Sequence, residues 1–188
     1  MGFHTFDTDQ AERLEDPNRY RWVSAEELVG AVDPDDADVV ADLGSGTGFH
    51  TDAVAPHVAT TYAVDIQAEM HEFYREKGTP ATVEFVESDV ADLPFGSDSL
   101  DAAFSTMTYH EFASDAAVAE VARVLRPGAR LVVFDWSADG DGEAGPPVDE
   151  RFGVDDAVTA FEDVGFEVQR ATTRTETFVL VALASSCR

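Results

Sequence analysis

A glycine-rich turn is the strongest chemical signal in this sequence. Residues 39–48 read VVADLGSGTG, so a short apolar run leads directly into three alternating glycines. Glycines let the backbone turn sharply and bring its N–H groups, together with the start of the next helix, close to a bound ligand. A dinucleotide site of the G-x-G-x-x-G type would need a further glycine where this chain has Phe49.

Asp42 stands two residues before the first glycine of this turn. A carboxylate in that place would repel a pyrophosphate but suits a positively charged ligand. S-adenosylmethionine, which carries a sulfonium and an ammonium group, is such a ligand. Asp42 therefore favours S-adenosylmethionine over NAD(P), and an NAD(P)-dependent oxidoreductase stays open as an alternative.

Two further acids follow the next two predicted strands. Asp65 ends a β-rich run nineteen residues after Gly46, where an acid accepts the hydroxyl groups of a ribose. Asp89 follows the third predicted strand, where it is suited to accept a hydrogen bond from an adenine amino group. Asp65 does not separate NAD from S-adenosylmethionine, because both ligands carry a ribose.

The apolar patterning predicts the elements that must position these residues. The predicted strands are Val39–Leu43, Thr60–Val64, Thr82–Val86, Asp101–Ser105, Arg130–Trp136, Phe166–Ala171 and Glu176–Ala184, and the predicted helices are Phe49–Val58, Gln67–Lys77, Ser114–Leu125 and Asp155–Val164. Alternating strands and helices indicate a parallel sheet covered on both faces, and the closing hairpin adds an antiparallel strand. We therefore expect a doubly wound α/β sandwich that binds its ligand at the carboxyl ends of the strands.

The order and spacing of these motifs resemble the class I S-adenosylmethionine-dependent methyltransferases, in particular the small group that methylates ubiquinone-type and other small acceptors. The resemblance covers residues 20–184 and rests on residues 42–48, 63–65, 88–90 with 93–95, 105–110 and 125–131. It implies a Rossmann-like sheet of seven strands in the order 3-2-1-4-5-7-6, with the last strand antiparallel. It also implies S-adenosylmethionine as the cofactor.

The same resemblance implies roles for individual residues in cofactor binding. The glycine turn would hold the methionine end, Asp65 the ribose and Asp89 the adenine, while Ile66 packs on the adenine ring. Ser105 and Met107 would line the methionine portion. The full set of candidates is Asp42, Gly44, Ser45, Gly46, Gly48, Asp65, Ile66, Asp89, Val90, Ser105 and Met107.

The acceptor side offers four candidates. Tyr109 and His110 follow the fourth strand, where this family faces its substrate; His110 is a candidate general base or a polar wall residue, and Tyr109 contacts the ligands or packs in the core. Trp136 could stack on a flat or cationic acceptor or be packed in the interior. Arg151 could hold an anionic group or form a surface ion pair. The transfer is an in-line displacement, which needs a base only when the acceptor keeps its proton at the working pH.

The length of 188 residues predicts one cofactor-binding domain, residues 35–188, preceded by an N-terminal helical extension, residues 1–34, that covers the cofactor. A chain of this length has little room for a separate recognition domain, which favours a small-molecule acceptor. We also expect a monomer or a homodimer. A non-catalytic S-adenosylmethionine-binding domain stays open as an alternative.

No metal is expected, because His50 and His57 lack a third ligand, and His4 and His71 are expected at the surface.

The net charge of the chain indicates the salt environment in which we expect the protein to fold. Twelve basic and 38 acidic residues give a net charge of −26, and the acids are spread through every segment, which is typical of a surface adapted to concentrated salt. This balance disfavours a nucleic-acid partner. The single cysteine, Cys187, and the lack of a signal segment or a long apolar run predict a cytoplasmic protein that neither enters nor binds a membrane.

We therefore expect the folded state to need salt. At about 1 M salt the Debye length falls to about 3 Å, so repulsion among the acids fades. The Tm measured by circular dichroism should rise as salt is added to dilute buffer. A Tm that is indifferent to salt would contradict this prediction.

Overall fold

The computed structural model describes residues 8–185, and within them one mixed sheet carries the fold. Its strands are β1 Val39–Leu43, β2 Thr60–Asp65, β3 Val83–Glu87, β4 Leu100–Thr106, β5 Leu125–Trp136, β6 Phe166–Thr173 and β7 Thr177–Ala184. They are arranged in the order β3-β2-β1-β4-β5-β7-β6. Strands β1 to β5 pair in parallel, and β7 runs antiparallel to both β5 and β6. The predicted fold class and strand order are confirmed.

Helices cover both faces of this sheet. They are α1 Ala25–Val32, α2 Thr51–Val54, α3 Ala68–Lys77, α4 Tyr109–Phe112, α5 Asp115–Val124 and α6 Val154–Asp163. The residues of β5 alternate between the two faces: Leu131 and Val133 join a core formed with α5 and α6, whereas Val132 joins a core formed with α1 and α2. Within the described part of the chain, no helix is long and apolar enough to cross a membrane.

Two predicted elements differ from the structure, each for a local reason. The helix predicted over Phe49–Val58 is only the four-residue α2 followed by a 3-10 turn, because Pro56 lacks an N–H group and cannot continue an α-helix. Residues 126–128, which we expected to separate helix from strand, belong to β5. They lie where the pairing of β4 with β5 shifts register between Leu100 and Ala102.

The N-terminal segment folds into two 3-10 turns, Thr8–Glu15 and Pro17–Arg21, followed by α1. The carboxylate of Glu15 accepts a hydrogen bond from Thr47 Oγ1 in the glycine turn, at 2.5 Å. It also pairs with Lys77 Nζ of α3 at 3.0 Å. Two polar contacts therefore fasten this segment beside the glycine turn, while a domain boundary between residues 34 and 35 stays a prediction.

His71 is not at the surface, so that prediction is wrong. Its ring lies on α3 against Phe85 of β3, with ring centroids 5.0 Å apart, and only 2% of the residue is exposed. Burial lowers the pKa of His71, and Arg75 lowers it further. The apolar face of α3 thus includes this histidine because β3 brings an aromatic ring above it. His4 and Cys187 lie outside the described residues.

Two glycines of the turn after β1 have no room for a side chain. A Cβ on Gly44 would lie 2.2 Å from Thr108 Cγ2, and a Cβ on Gly48 would lie 2.1 Å from the ring of Tyr74. Both backbones have positive φ, 80° and 79°. The turn therefore packs directly on α3 and on Thr108, two residues after the end of β4.

Gly48→Ala should lower the free energy of unfolding by about 2–4 kcal/mol, because it adds left-handed strain and a clash with Tyr74. Gly30→Ala is the matched control: this helical glycine has no atom within 4 Å of a built Cβ. The control should gain about 0.5–1 kcal/mol. Urea unfolding of both variants measures the difference, and a neutral Gly48→Ala would contradict the close packing described here.

Candidate cofactor site

The glycine turn is fastened to the end of the neighbouring strand by its own backbone. The N–H groups of Gly44 and Ser45 both donate to the carbonyl of Val64, each at 2.9 Å. The N–H of Gly46 donates to Asp65 Oδ2 at 2.8 Å. The turn after β1 and the last residues of β2 therefore form one rigid rim at the carboxyl edge of the sheet.

Asp65 is the acid in this rim. Its Oδ1 accepts a second backbone hydrogen bond, from the N–H of Gln67 at 2.9 Å. Burial raises the pKa of Asp65, and the N–H groups of Gln67 and Gly46 oppose that shift. A carboxylate offers about four lone-pair sites. Asp65 therefore keeps acceptor capacity for the hydroxyl groups of a ribose.

A cavity opens at the carboxyl ends of β1 to β4, beside this rim. It is lined by Leu14, Arg19, Gly44, Ser45, Gly46, Thr47, Phe49, His50, Val64, Asp65, Ile66, Gln67, Met70, Ser88, Asp89, Val90, Ala91, Thr106, Met107, Thr108, Glu111, Phe112 and Ser114. The glycine turn, the acid after β2 and the acid after β3 therefore share one crevice. Sheets of this kind bind ligands at that edge.

Most of the predicted cofactor residues meet in this cavity. Those that line it are Gly44, Ser45, Gly46, Asp65, Ile66, Asp89, Val90 and Met107. The side chain of Asp89 accepts a hydrogen bond from the N–H of Ala91 at 2.8 Å, which fixes the loop after β3. Met107 has a left-handed backbone with φ 60°, an uncommon conformation for a residue other than glycine that often marks a functional site.

Three predicted cofactor residues, Asp42, Gly48 and Ser105, lie outside the cavity lining. Asp42 is buried behind the glycine turn, where its Oδ2 accepts a hydrogen bond from Thr51 Oγ1 at 2.6 Å. Burial raises the pKa of Asp42 to about 7. Gly48 packs against Tyr74. Asp42 and Gly48 thus pack against the residues around the glycine turn, outside the cavity lining. Direct contact of Asp42 with a cationic ligand stays a prediction.

Two buried polar atoms of the cavity lining have no hydrogen-bond partner within residues 8–185: Ser45 Oγ and His50 Nε2. The same holds for atoms of four residues outside the lining, Asp42, Thr61, His71 and Ser105. Unsatisfied buried polar atoms are costly, so the two atoms in the lining indicate a polar ligand. The donor and acceptor set, with acids at the ribose and adenine positions, fits S-adenosylmethionine.

Sequence reasoning missed the residues that approach the cavity from distant segments. Arg19 is the only Arg or Lys side chain among the described residues that line it. Its guanidinium lies over the ring of Phe49, 4.9 Å from the centroid, and donates to the carbonyl of Leu14 at 2.5 Å. Burial lowers the pKa of Arg19, although Glu15 opposes that shift. The sequence predicts that the N-terminal extension covers the cofactor, but no local pattern singles out residue 19 within it.

Two acceptor-side candidates lie beside the cavity but outside its lining. Tyr109 is buried among aromatic rings, including Phe112 and Phe161 at centroid distances of 5.5 and 5.8 Å, which is its core-packing alternative. His110 turns away from the cavity toward Asp135, its Nδ1 lying 2.9 Å from Oδ1. The neighbouring residue, Glu111, lines the cavity instead.

Trp136 and Arg151 do not reach the cavity. Trp136 packs edge to face against Trp22, with centroids 5.2 Å apart. Arg151 forms the ion pair of one alternative, but this pair is buried rather than at the surface. Its side chain is 1% exposed, pairs with Glu176 at 3.2 Å and donates to the carbonyl of Pro146 at 2.9 Å. Its donors are used to hold the loop after β5, whose N–H groups also bond to Glu176.

A metal site has no support from the geometry of residues 8–185, which contain no group of three or more His, Cys, Asp or Glu side chains placed to hold an ion. His50 lines the cavity, where burial lowers its pKa to about 3. A histidine in that state is neutral at physiological pH. It therefore contributes a hydrogen-bonding group to the cavity rather than a charge.

Comparison with known proteins identifies related methyltransferases. A family model described as a methyltransferase domain matches residues 41–133. A demethylmenaquinone methyltransferase of Clavibacter sepedonicus is 35% identical over 109 residues, 57% of this chain and 44% of the relative. An uncharacterized methyltransferase of Mycobacterium tuberculosis is 30% identical over 160 residues, 79% of this chain and 65% of the relative. The chain thus spans less than two thirds of the length of either curated relative.

A solved structure agrees over almost the whole chain. The S-adenosylmethionine-dependent methyltransferase of Aquifex aeolicus superposes with a TM-score of 0.85 at 26% identity, covering 96% of this chain and 100% of that one. The fold, the glycine turn and the acids of the cavity define a cofactor-binding α/β protein. This chain belongs to the class I S-adenosylmethionine-dependent methyltransferases, and S-adenosylmethionine is its cofactor.

Arg19→Gln should weaken binding of S-adenosylhomocysteine about 10- to 100-fold, because the only lysine or arginine among the described lining residues is placed to meet the ligand's carboxylate. Methylthioadenosine, which lacks the amino-acid tail, should bind the variant as well as it binds the parent protein. Calorimetry measures both affinities. Arg21→Gln, an exposed arginine in the same turn, is the control. Equal losses for the two ligands would contradict the prediction.

Proposed function

We propose that this chain transfers the methyl group of S-adenosylmethionine to a small-molecule acceptor by in-line displacement. The observation that carries the proposal is the N-terminal segment beside the cavity: Leu14 and Arg19 line it, and Glu15 bonds to Thr47 and Lys77. A segment fastened in this way narrows the approach to the cofactor. A narrow approach suits a small acceptor better than a folded polymer.

The chemistry of the cavity supports the same proposal. When bound, S-adenosylmethionine supplies an electrophilic methyl group on a sulfonium. Met107 and Phe112 give the β4 side of the cavity an apolar wall. Glu111 lines the cavity on the same side as Met107 and Phe112 and adds a carboxylate there. Holding an acceptor in line with the methyl group can supply much of the acceleration.

Charge and similarity support a small acceptor as well. With a net charge of −26, the protein as a whole disfavours a polyanionic acceptor such as RNA. Two similar proteins are named demethylmenaquinone methyltransferases, and a third is named an O-methyltransferase. Flat aromatic molecules that carry hydroxyl groups are therefore the first acceptors to test. A monomeric or homodimeric state and a cytoplasmic location belong to the same proposal.

Calorimetry and a methylation assay separate this proposal from its two alternatives. S-adenosylmethionine should bind and NADH should not; the reverse result would favour an oxidoreductase. Labelled S-adenosylmethionine is then incubated with phenols, naphthols, aliphatic alcohols, amines, thiols and carboxylic acids. Label in any member of this panel supports the proposal, whereas binding with no transfer to any member favours a non-catalytic binding domain.

A further inference from the structure

Asp135 and His110 form a buried pair next to the cavity. Asp135, at the end of β5, is fully buried and accepts a hydrogen bond from the backbone N–H of His110 at 2.6 Å. Its two carboxylate oxygens lie 2.9 and 3.0 Å from His110 Nδ1. A carboxylate accepts hydrogen bonds only, so Nδ1 carries a proton. In the neutral ring, Nε2 therefore presents a lone pair.

The second ring nitrogen of His110 lies near the acid in the cavity wall. His110 Nε2 lies 3.9 Å from Glu111 Oε1. The side chain of Glu111 is 25% exposed, against 10% for His110, and only Glu111 lines the cavity. The helix α4 thus directs two consecutive residues differently: one toward a buried carboxylate and one toward the cofactor crevice.

Burial and the neighbouring charges shift the pKa values of Glu111 and His110. Burial raises the pKa of Glu111 to about 7; His110 opposes the shift, and Asp65 and Asp135 add to it. Burial lowers the pKa of His110, but Asp135, Glu111 and Glu150 outweigh it and raise the pKa overall. These groups come from β2, β4–α4, β5 and the loop after β5. Glu111 therefore gains its proton-accepting form as the pH rises through neutrality.

We propose that Glu111 is the base that takes a proton from the methyl acceptor, and that the pair of Asp135 and His110 positions Glu111. The inference rests on the proposed function and names its substrate class: a hydroxyl or amine nucleophile that still carries its proton at neutral pH. His110 acts through Glu111, so it is a positioning residue rather than the base.

The step balances without a further reactant. The acceptor oxygen or nitrogen forms a bond to the methyl carbon while the carbon–sulfur bond breaks, and that electron pair stays on sulfur. The proton of the acceptor moves to Glu111 Oε and from there to solvent, because the raised pKa of His110 favours its protonated ring, in which Nε2 has no lone pair. The products are the methylated acceptor, the neutral thioether and a proton.

The first test follows the pair without cofactor or acceptor. In protein with isotope-labelled histidine, the nuclear magnetic resonance signal of His110 should titrate with a second inflection near the pKa of Glu111, about 7. Glu111→Gln should remove that inflection, whereas Glu162→Gln, an exposed acid on α6, should leave it unchanged. A His110 titration that is the same in Glu111→Gln as in the parent protein would overturn the coupling.

The second test separates base from scaffold. Glu111→Gln should lower kcat about 100-fold or more and remove its rise with pH, while the affinity for S-adenosylhomocysteine changes little. His110→Asn keeps a donor toward Asp135 but lacks the second ring nitrogen. It should fold with the parent Tm yet lower kcat about 10-fold and shift the pH profile. A parent-like pH profile in His110→Asn would reduce His110 to a packing residue.

The third test uses acceptors matched in shape, a phenol and the corresponding thiophenol. The phenol keeps its proton at neutral pH, whereas the thiophenol has largely lost it. Glu111→Gln should lower kcat strongly for the phenol and only slightly for the thiophenol. Equal losses of kcat for the two acceptors would overturn the inference. A parent protein that methylates only acceptors without a proton would overturn it as well. No transfer by the parent protein to any acceptor would contradict the proposed function itself.

Discussion

The close contact between the glycine turn and the end of β2 is the constraint on which the site depends. Three consecutive backbone N–H groups of the turn point at β2: two bond to the carbonyl of Val64, and the third bonds to Asp65. A side chain on Gly44 would clash with Thr108, and one on Gly48 would clash with Tyr74, so either would displace the turn. Because β1 and β2 are parallel neighbours, this contact places the turn and the acid of β2 at the same rim.

Buried acids give that rim its electrostatic character. Asp42 lies behind the turn, Asp65 within it and Glu111 across the cavity, and burial raises the pKa of all three. A ligand with a sulfonium and an ammonium group favours the ionised form of such carboxylates. The one guanidinium among the described lining residues, Arg19, complements the single carboxylate of that ligand. The cavity is therefore matched to a zwitterionic tail with an additional positive charge.

The sequence predicts the parts of this structure that depend on local pattern or on strand order. The glycine turn and the acids after β2 and β3 could be predicted because each is a motif at the end of a strand, whereas the strand order followed from the resemblance to a known family. Arg19 and Glu111 could not be predicted. Arg19 reaches the turn through a segment of 3-10 turns without apolar periodicity, and Glu111 lies on a helix of four residues.

For Trp136 and Arg151, at the carboxyl edge of β5, the sequence left a ligand-binding role and a packing or ion-pair role open. Trp136 packs against Trp22, and the loop after β5 takes up the donors of Arg151. His71 carries a polar ring on a helix whose surroundings in sequence are charged, and only the pairing of β2 with β3 brings Phe85 against it. Contacts between distant segments decide burial at these positions.

The most direct test of the account is the affinity of Asp65→Ala for S-adenosylhomocysteine, measured by calorimetry beside Asp92→Ala, an exposed acid of the loop after β3 that does not line the cavity. Asp65 accepts both Gly46 and Gln67 N–H groups, so its loss removes a ribose acceptor and loosens the rim. The account predicts a loss of about 10- to 100-fold for Asp65→Ala and less than about 2-fold for Asp92→Ala. Equal affinities in the two folded variants would contradict it.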